Sequence, residues 1–70
     1  MAQVVASMAG TVLNVLVGPG DSVSTDQDVV VLESMKMEVP VAADQEGTVR
    51  EVKVQQGDFV NEGDVLVELD

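Results

Sequence analysis

GTVLNVLVGPGDSVSTDQDVVVLE (residues 10–33) and GTVREVKVQQGDFVNEGDVLVELD (residues 47–70) are one pattern written twice, 37 positions apart and without a gap. Ten of the 24 aligned pairs are identical, among them Gly10/Gly47, Val12/Val49, Val15/Val52, Gly20/Gly57, Asp21/Asp58 and Leu32/Leu69. The identities fall on turn glycines and on valines, the positions a β fold constrains most. A solenoid needs more copies than two to bury its faces. The duplication therefore predicts two halves packed around a pseudo-twofold axis.

Each half reads as strands joined by turns. Residues 11–17 and their copy 48–54 are strands, but Val12 and Val15 differ in parity, as do Val49 and Val52. Strict alternation would leave one of each pair in water, so a bulge or strong bend is expected in both strands. Turns follow at 17–21 and 54–58, with Gly20 and Gly57 at positive φ. A further turn at 61–64 has its mate at 24–27, where Asp26 replaces glycine; aspartate tolerates the left-handed region better than most residues. Residues 29–33 and 65–69 close the halves, and their consecutive apolar residues suggest burial on both faces. Residues 37–41 add a strand with Pro40 toward a sheet edge, and residues 3–6 are its short N-terminal equivalent. The count reaches eight strands and no helix, an all-β sandwich or flattened barrel.

Composition agrees and excludes much else. Seventy residues make a single small domain, residues 1–70. Apolar residues are 46%, mostly valine, with Phe59 the single aromatic. Without cysteine or histidine, thiolate chemistry, a zinc site and a histidine general base are all excluded. No calcium-loop spacing is present, so no metal site is assigned. A net charge of −10 argues against nucleic acid and anionic membranes. The acids are scattered, as on a solvated face, and can also steer the chain toward basic enzymes. The longest apolar run, residues 29–32, is far too short for a bilayer. No charged start or long apolar run opens the chain, and the expected compartment is the cytoplasm.

Against this background residues 33–38, Glu33-Ser34-Met35-Lys36-Met37-Glu38, stand out. The repeat places them where the first copy ends and the chain must turn, as the pseudo-twofold mate of the region holding the two termini. The termini and the hairpin are therefore expected at opposite ends of the molecule. Lys36, one of two lysines, sits at that tip between two methionines. An exposed lysine flanked by apolar residues has no packing purpose of its own and reads as a handle for another enzyme. Lys53, on the repeat position of Leu16, lacks such flanks and reads as a solvated strand residue.

Glu33-Ser34-Met35-Lys36-Met37 closely resembles the Glu-Ala-Met-Lys-Met modification motif of biotinyl carrier domains, and the resemblance runs through essentially the whole chain, including Gly20-Asp21-Ser22-Val23 and the mirrored Gly57-Asp58-Phe59-Val60. The resemblance implies a hammerhead of two four-stranded antiparallel sheets, with Lys36 biotinylated on a tight turn. Ser34 stands where alanine is usual. Met35, Met37, Glu33 and Ser34 are the implied ligase-recognition residues. The implied partners are a biotin ligase, then the biotin carboxylase and carboxyltransferase subunits between which the tethered biotin carries CO2. Gly18-Pro19-Gly20 leaves no room for the protruding thumb of some acetyl-CoA carboxylase carriers. With no Pro/Ala-rich linker ahead of the fold, the chain looks like the small stand-alone attachment proteins, and a monomer is expected.

A lysine amine must be neutral to attack an activated acyl group, whereas free lysine titrates at about 10.4. The chain is thus expected to be a substrate and carrier and not an enzyme. Lipoate is the first rival cofactor, because lipoyl domains resemble this fold and modify a hairpin lysine, usually within Asp-Lys-Ala; a lipoyl ligase is then the partner. The methionine flanks favour biotin, and Glu33 fits either. The rival of another class is an unmodified interaction module that kept the fold.

Overall fold

In the computed structural model, which describes residues 2–70, the chain forms eight strands: β1 (Ala2–Val5), β2 (Gly10–Val15), β3 (Ser22–Val23), β4 (Asp28–Ser34), β5 (Met37–Ala42), β6 (Gly47–Val52), β7 (Phe59–Val60) and β8 (Val65–Leu69). They build two four-stranded sheets, ordered β1-β8-β6-β3 and β5-β4-β2-β7, with every pairing antiparallel. The two orders are the same order under the 37-residue shift. The repeat also extends beyond the aligned block: β5 maps onto β1, with Val39 opposite Leu32 as Ala2 is opposite Leu69.

The two copies interlock and do not sit side by side. β7 of the second copy pairs with β2 of the first, and β3 of the first pairs with β6 of the second. The turns cross over as well. The Gly57 amide donates to the Val12 carbonyl at 2.8 Å and the Val12 amide donates to the Asp58 carbonyl at 2.7 Å; Gly20, Val49 and Asp21 repeat this at 2.8 Å in the other half. Each copy satisfies backbone groups that the other would otherwise leave unpaired, so neither half is a folding unit alone.

The expected bulges are present. The β2–β4 register shifts between Val12 and Asn14, and the β6–β8 register shifts between Val49 and Glu51. Val12 and Val49 are buried, and Val15 and Val52 pack half-buried against the same core. Bulges also explain the consecutive buried pairs Val29-Val30 and Leu66-Val67. The apolar runs suggested strands covered on both faces. Instead, β4 shifts register between Asp28 and Val30 against β5, and the β1 partner of β8 shifts between Val4 and Val5. The extra residue rotates two successive valines toward one core, and the outer faces stay open.

Four turns share one design. In 18–21, 55–58, 61–64 and 24–27 the fourth residue's amide donates to the first residue's carbonyl at 3.0 Å. The fourth side chain, Asp21, Asp58, Asp64 or Gln27, in turn accepts from the first residue's amide at 2.8–3.0 Å. The third residue has positive φ: Gly20, Gly57, Gly63, and Asp26 at 70°. Aspartate therefore holds the turn that glycine holds in the other copy. The expected strand 48–54 ends earlier, at Val52, so Lys53 lies just past β6. Lys53 is also not simply solvated, since its Nζ lies 3.3 Å from Glu51 and 4.0 Å from Glu68.

Candidate functional site: the β4–β5 hairpin

β4 and β5 are the longest paired strands, paired from Asp28↔Ala42 to Ser34↔Met37 with one bulge near Asp28. Ser34 and Met37 close the hairpin, which leaves Met35 and Lys36 as a two-residue loop. Both have positive φ, 52° and 65°. Two successive left-handed residues define a type I′ turn, whose twist matches that of the flanking strands. Such a turn ordinarily uses Asn-Gly or Asp-Gly, because a side chain in the left-handed region costs about 1–2 kcal/mol per residue. Here both positions carry long side chains. The hairpin register, fixed by buried Leu32 and Val41 on the inner face, imposes the turn on residues that would not choose it. Backbone strain held in place by its surroundings is characteristic of functional sites.

The strain has a geometric product. Met35 is 92% exposed and Met37 66% exposed, and Lys36 is exposed between them. The methionines are therefore not core filling, and Lys36 projects from a rigid tip with no neighbouring wall. Neither concavity described in the structure includes a hairpin residue; one is lined from residues 14–19 and 52–56, the other from residues 52–58. The arrangement can present a primary amine to an outside active site.

Below the tip, Glu33 and Glu38 are direct cross-strand partners on the outer face, both exposed. Ser34, half-buried, pairs with the exposed Met37 at the closing position. The base of the hairpin is braced by Gly10 of β2: a Cβ there would lie 2.8 Å from the Glu33 carbonyl oxygen. This brace and the two positive-φ residues were not foreseen from sequence. Gly10 was visible only as a repeat identity, and no sequence signal distinguishes it from its looser mate Gly47. All four predicted recognition residues, Glu33, Ser34, Met35 and Met37, fall on the hairpin with Lys36, within two residues of its turn.

A family profile described as "Biotin-requiring enzyme" matches residues 2–69. The chain belongs to this biotin/lipoyl family. The biotin/lipoyl attachment protein of Bacillus subtilis is 58% identical over 62 residues, covering 89% of this chain and 85% of that protein. The biotin carboxyl carrier protein of Streptococcus mutans is 48% identical over 62 residues, 89% of this chain but only 48% of that protein. Among solved structures, urea carboxylase of Kluyveromyces lactis superposes with a TM-score of 0.91 at 26% identity, over 99% of this chain and 6% of that one. The lipoyl domain of the 2-oxoglutarate dehydrogenase complex of Azotobacter vinelandii superposes with a TM-score of 0.73 at 27% identity, over 96% of this chain and 95% of that domain. The hammerhead architecture expected from sequence is thus the family's own: all-β, two four-stranded sheets, duplicated.

Proposed function

We propose that Lys36 is the point of covalent biotin attachment and that the chain is the biotin carboxyl carrier of a carboxylase, a cofactor carrier and not a catalyst. The observation that carries this reading is the type I′ turn at Met35 and Lys36, which holds the amine clear of the molecule at the cost of two left-handed residues. A biotin ligase with the cofactor activated as biotinyl-AMP is the partner. The neutral Lys36 Nζ attacks the acyl carbon, AMP leaves with the C–O bond electrons, and the amine loses a proton to give an amide. Removing the proton is left to the ligase, because among the described residues no carboxylate is in ion-pair contact with Nζ. The residues fit the group: a primary amine in the open leaves the attached ring free to move.

Once bound, biotin supplies a ring that accepts a carboxyl group in a biotin carboxylase site and gives it up in a carboxyltransferase site. This chain supplies the rest. Its interlocked sheets give a rigid base, and tethering holds the carried group at an effective concentration of roughly mM for a short link. The family relation to biotin carboxyl carriers supports carboxylase subunits as partners, and the chain would act as a cytoplasmic monomer between them. A second reading, lipoate on the same lysine, is favoured by one observation, the superposition on a lipoyl domain. Intact mass after co-expression with a biotin ligase or with a lipoyl ligase separates the two. A biotin-sized increment mapped to the Lys36 tryptic peptide is expected, and a lipoate increment alone refutes the biotin assignment.

A further inference from the structure

The duplication supplies an internal control for every surface residue, because the same fold is built twice from different side chains. The outer faces of the two sheets differ at four positions in the same sense. Leu16 corresponds to Lys53, Val31 to Glu68, Pro40 to Gln3 and Phe59 to Ser22. In each pair the apolar member lies on the sheet that carries Lys36. In the other sheet Lys53 forms ion pairs with Glu51 and Glu68, whereas the equivalent positions here hold Leu16, Asn14 and Val31. The fold therefore tolerates polar side chains at these sites, and packing does not explain why one sheet keeps them apolar. Leu16 is 48% exposed and Phe59, the only aromatic residue, 67% exposed.

These residues form one surface with the hairpin. Phe59 pairs with Thr11, Thr11 with Glu33 and Glu33 with Glu38, a row across the outer face immediately below the tip. Three strand spacings make it about 14 Å wide. Glu33 and Glu38 stand directly opposite, and like charges so placed repel. A cationic partner relieves that repulsion. A hairpin tip alone is also small for a specific contact, as even weak, transient interfaces take up to about 600 Å² from each partner.

We propose that the outer face of the β5-β4-β2-β7 sheet is the docking surface for the biotin ligase. An apolar hollow on the ligase receives Phe59 and the Leu16–Val31 strip, and basic side chains meet Glu33 and Glu38. Exposed apolar patches edged by charge mark such contacts, and aromatic residues are enriched at their centres. This inference rests on the biotin reading, and its test separates the two. A swap variant, Leu16→Lys with Val31→Glu and Phe59→Ser, installs on this sheet the residues with which the other sheet already folds. Biotinylation with a purified ligase, biotin and ATP is measured by initial rate across carrier concentrations, beside the single variant Phe59→Ser, whose exposed side chain carries no core packing. The mirror variant Ser22→Phe is the control. We expect kcat/KM to fall at least tenfold in the swap variant and severalfold in Phe59→Ser, through KM and with kcat kept, while Ser22→Phe is unchanged. Biotinylation of wild type with unchanged kcat/KM in Phe59→Ser and in a folded swap variant overturns the docking face alone. No labelling of wild type overturns the biotin reading and the docking face with it.

Discussion

Gly10→Ala and Gly47→Ala are chemically the same substitution at positions related by the repeat, yet they should behave differently. At Gly10 the new methyl would sit 2.8 Å from the Glu33 carbonyl oxygen and 3.4 Å from its carbon. Both atoms are backbone in a strand paired on both sides, so neither can swing away. At Gly47 the nearest atoms are the Leu69 Cβ at 3.4 Å and the Asp70 carbonyl oxygen at 3.5 Å, ordinary contacts. Replacing glycine by alanine gains about 0.4–1 kcal/mol by restricting the unfolded chain. Forcing a methyl into a filled site costs about 1–3 kcal/mol. The balance is a net loss of about 1–2 kcal/mol for Gly10→Ala and about zero, or a slight gain, for Gly47→Ala. For a domain of this size 1 kcal/mol moves Tm by about 4–8 °C. Calorimetry or circular dichroism should thus show Gly10→Ala melting about 5–15 °C lower and Gly47→Ala within about 4 °C of wild type. Because the clash falls on the hairpin base, Gly10→Ala should also slow modification of Lys36 at a temperature where the variant is fully folded. Equal melting shifts in the two variants would refute the claim that β2 approaches the hairpin more closely than its mate approaches the terminal strand.

Other predictions follow from the same geometry. Lys36→Arg should abolish biotinylation, seen by intact mass and streptavidin blotting, and leave Tm unchanged, because the side chain is exposed. Met35→Gly should raise stability by about 0.5–1 kcal/mol by relieving a left-handed side chain, measured by urea denaturation, yet lower kcat/KM for the ligase by removing an apolar flank that is 92% exposed. Asp26→Gly, which copies Gly63, should stabilise by about 0.5–1 kcal/mol, whereas Gly63→Asp should destabilise by a similar amount in the same denaturation assay. Lys53→Ala breaks a solvated ion pair with Glu51 and a longer one with the mostly covered Glu68 and should cost about 1 kcal/mol or less; no biotin should appear on Lys53 in a tryptic map of wild type.

Much of the fold was legible because the sequence contains its own alignment. The two copies show which residues are constrained, and these were the glycines of the turns and the valines of the core. The parity conflict between Val12 and Val15 announced a bulge before any coordinate did. Residues 29–30 and 66–67 were harder. Two adjacent apolar residues can face two covered sides or one side through a bulge, and periodicity does not separate these cases. The lysine, its methionines and its place at the seam were readable from the motif and the duplication together. The strain was not, since positive φ at Met35 and Lys36 opposes their intrinsic preference and is imposed by strand register, a long-range property. The brace at Gly10 was hidden for a related reason: a close approach is a distance between strands, and glycine identity alone does not report it.

Duplication explains how one hairpin can be strained without weakening the whole. The sheet holding β4 and β5 is tied to the other copy through β7 and through the crossed turn bonds at Val12, Gly57 and Asp58. Opening the hairpin therefore means breaking contacts that belong to both copies, and a local cost of about 2–4 kcal/mol for two left-handed residues is set against a shared core. In the second copy Leu69 pairs with Ala2 as Leu32 pairs with Val39 in the first. The Met35–Lys36 loop lies on the sheet whose outer face keeps Val31, Pro40 and Phe59 apolar. On the docking reading proposed above, what separates the two sheets is recognition and not stability.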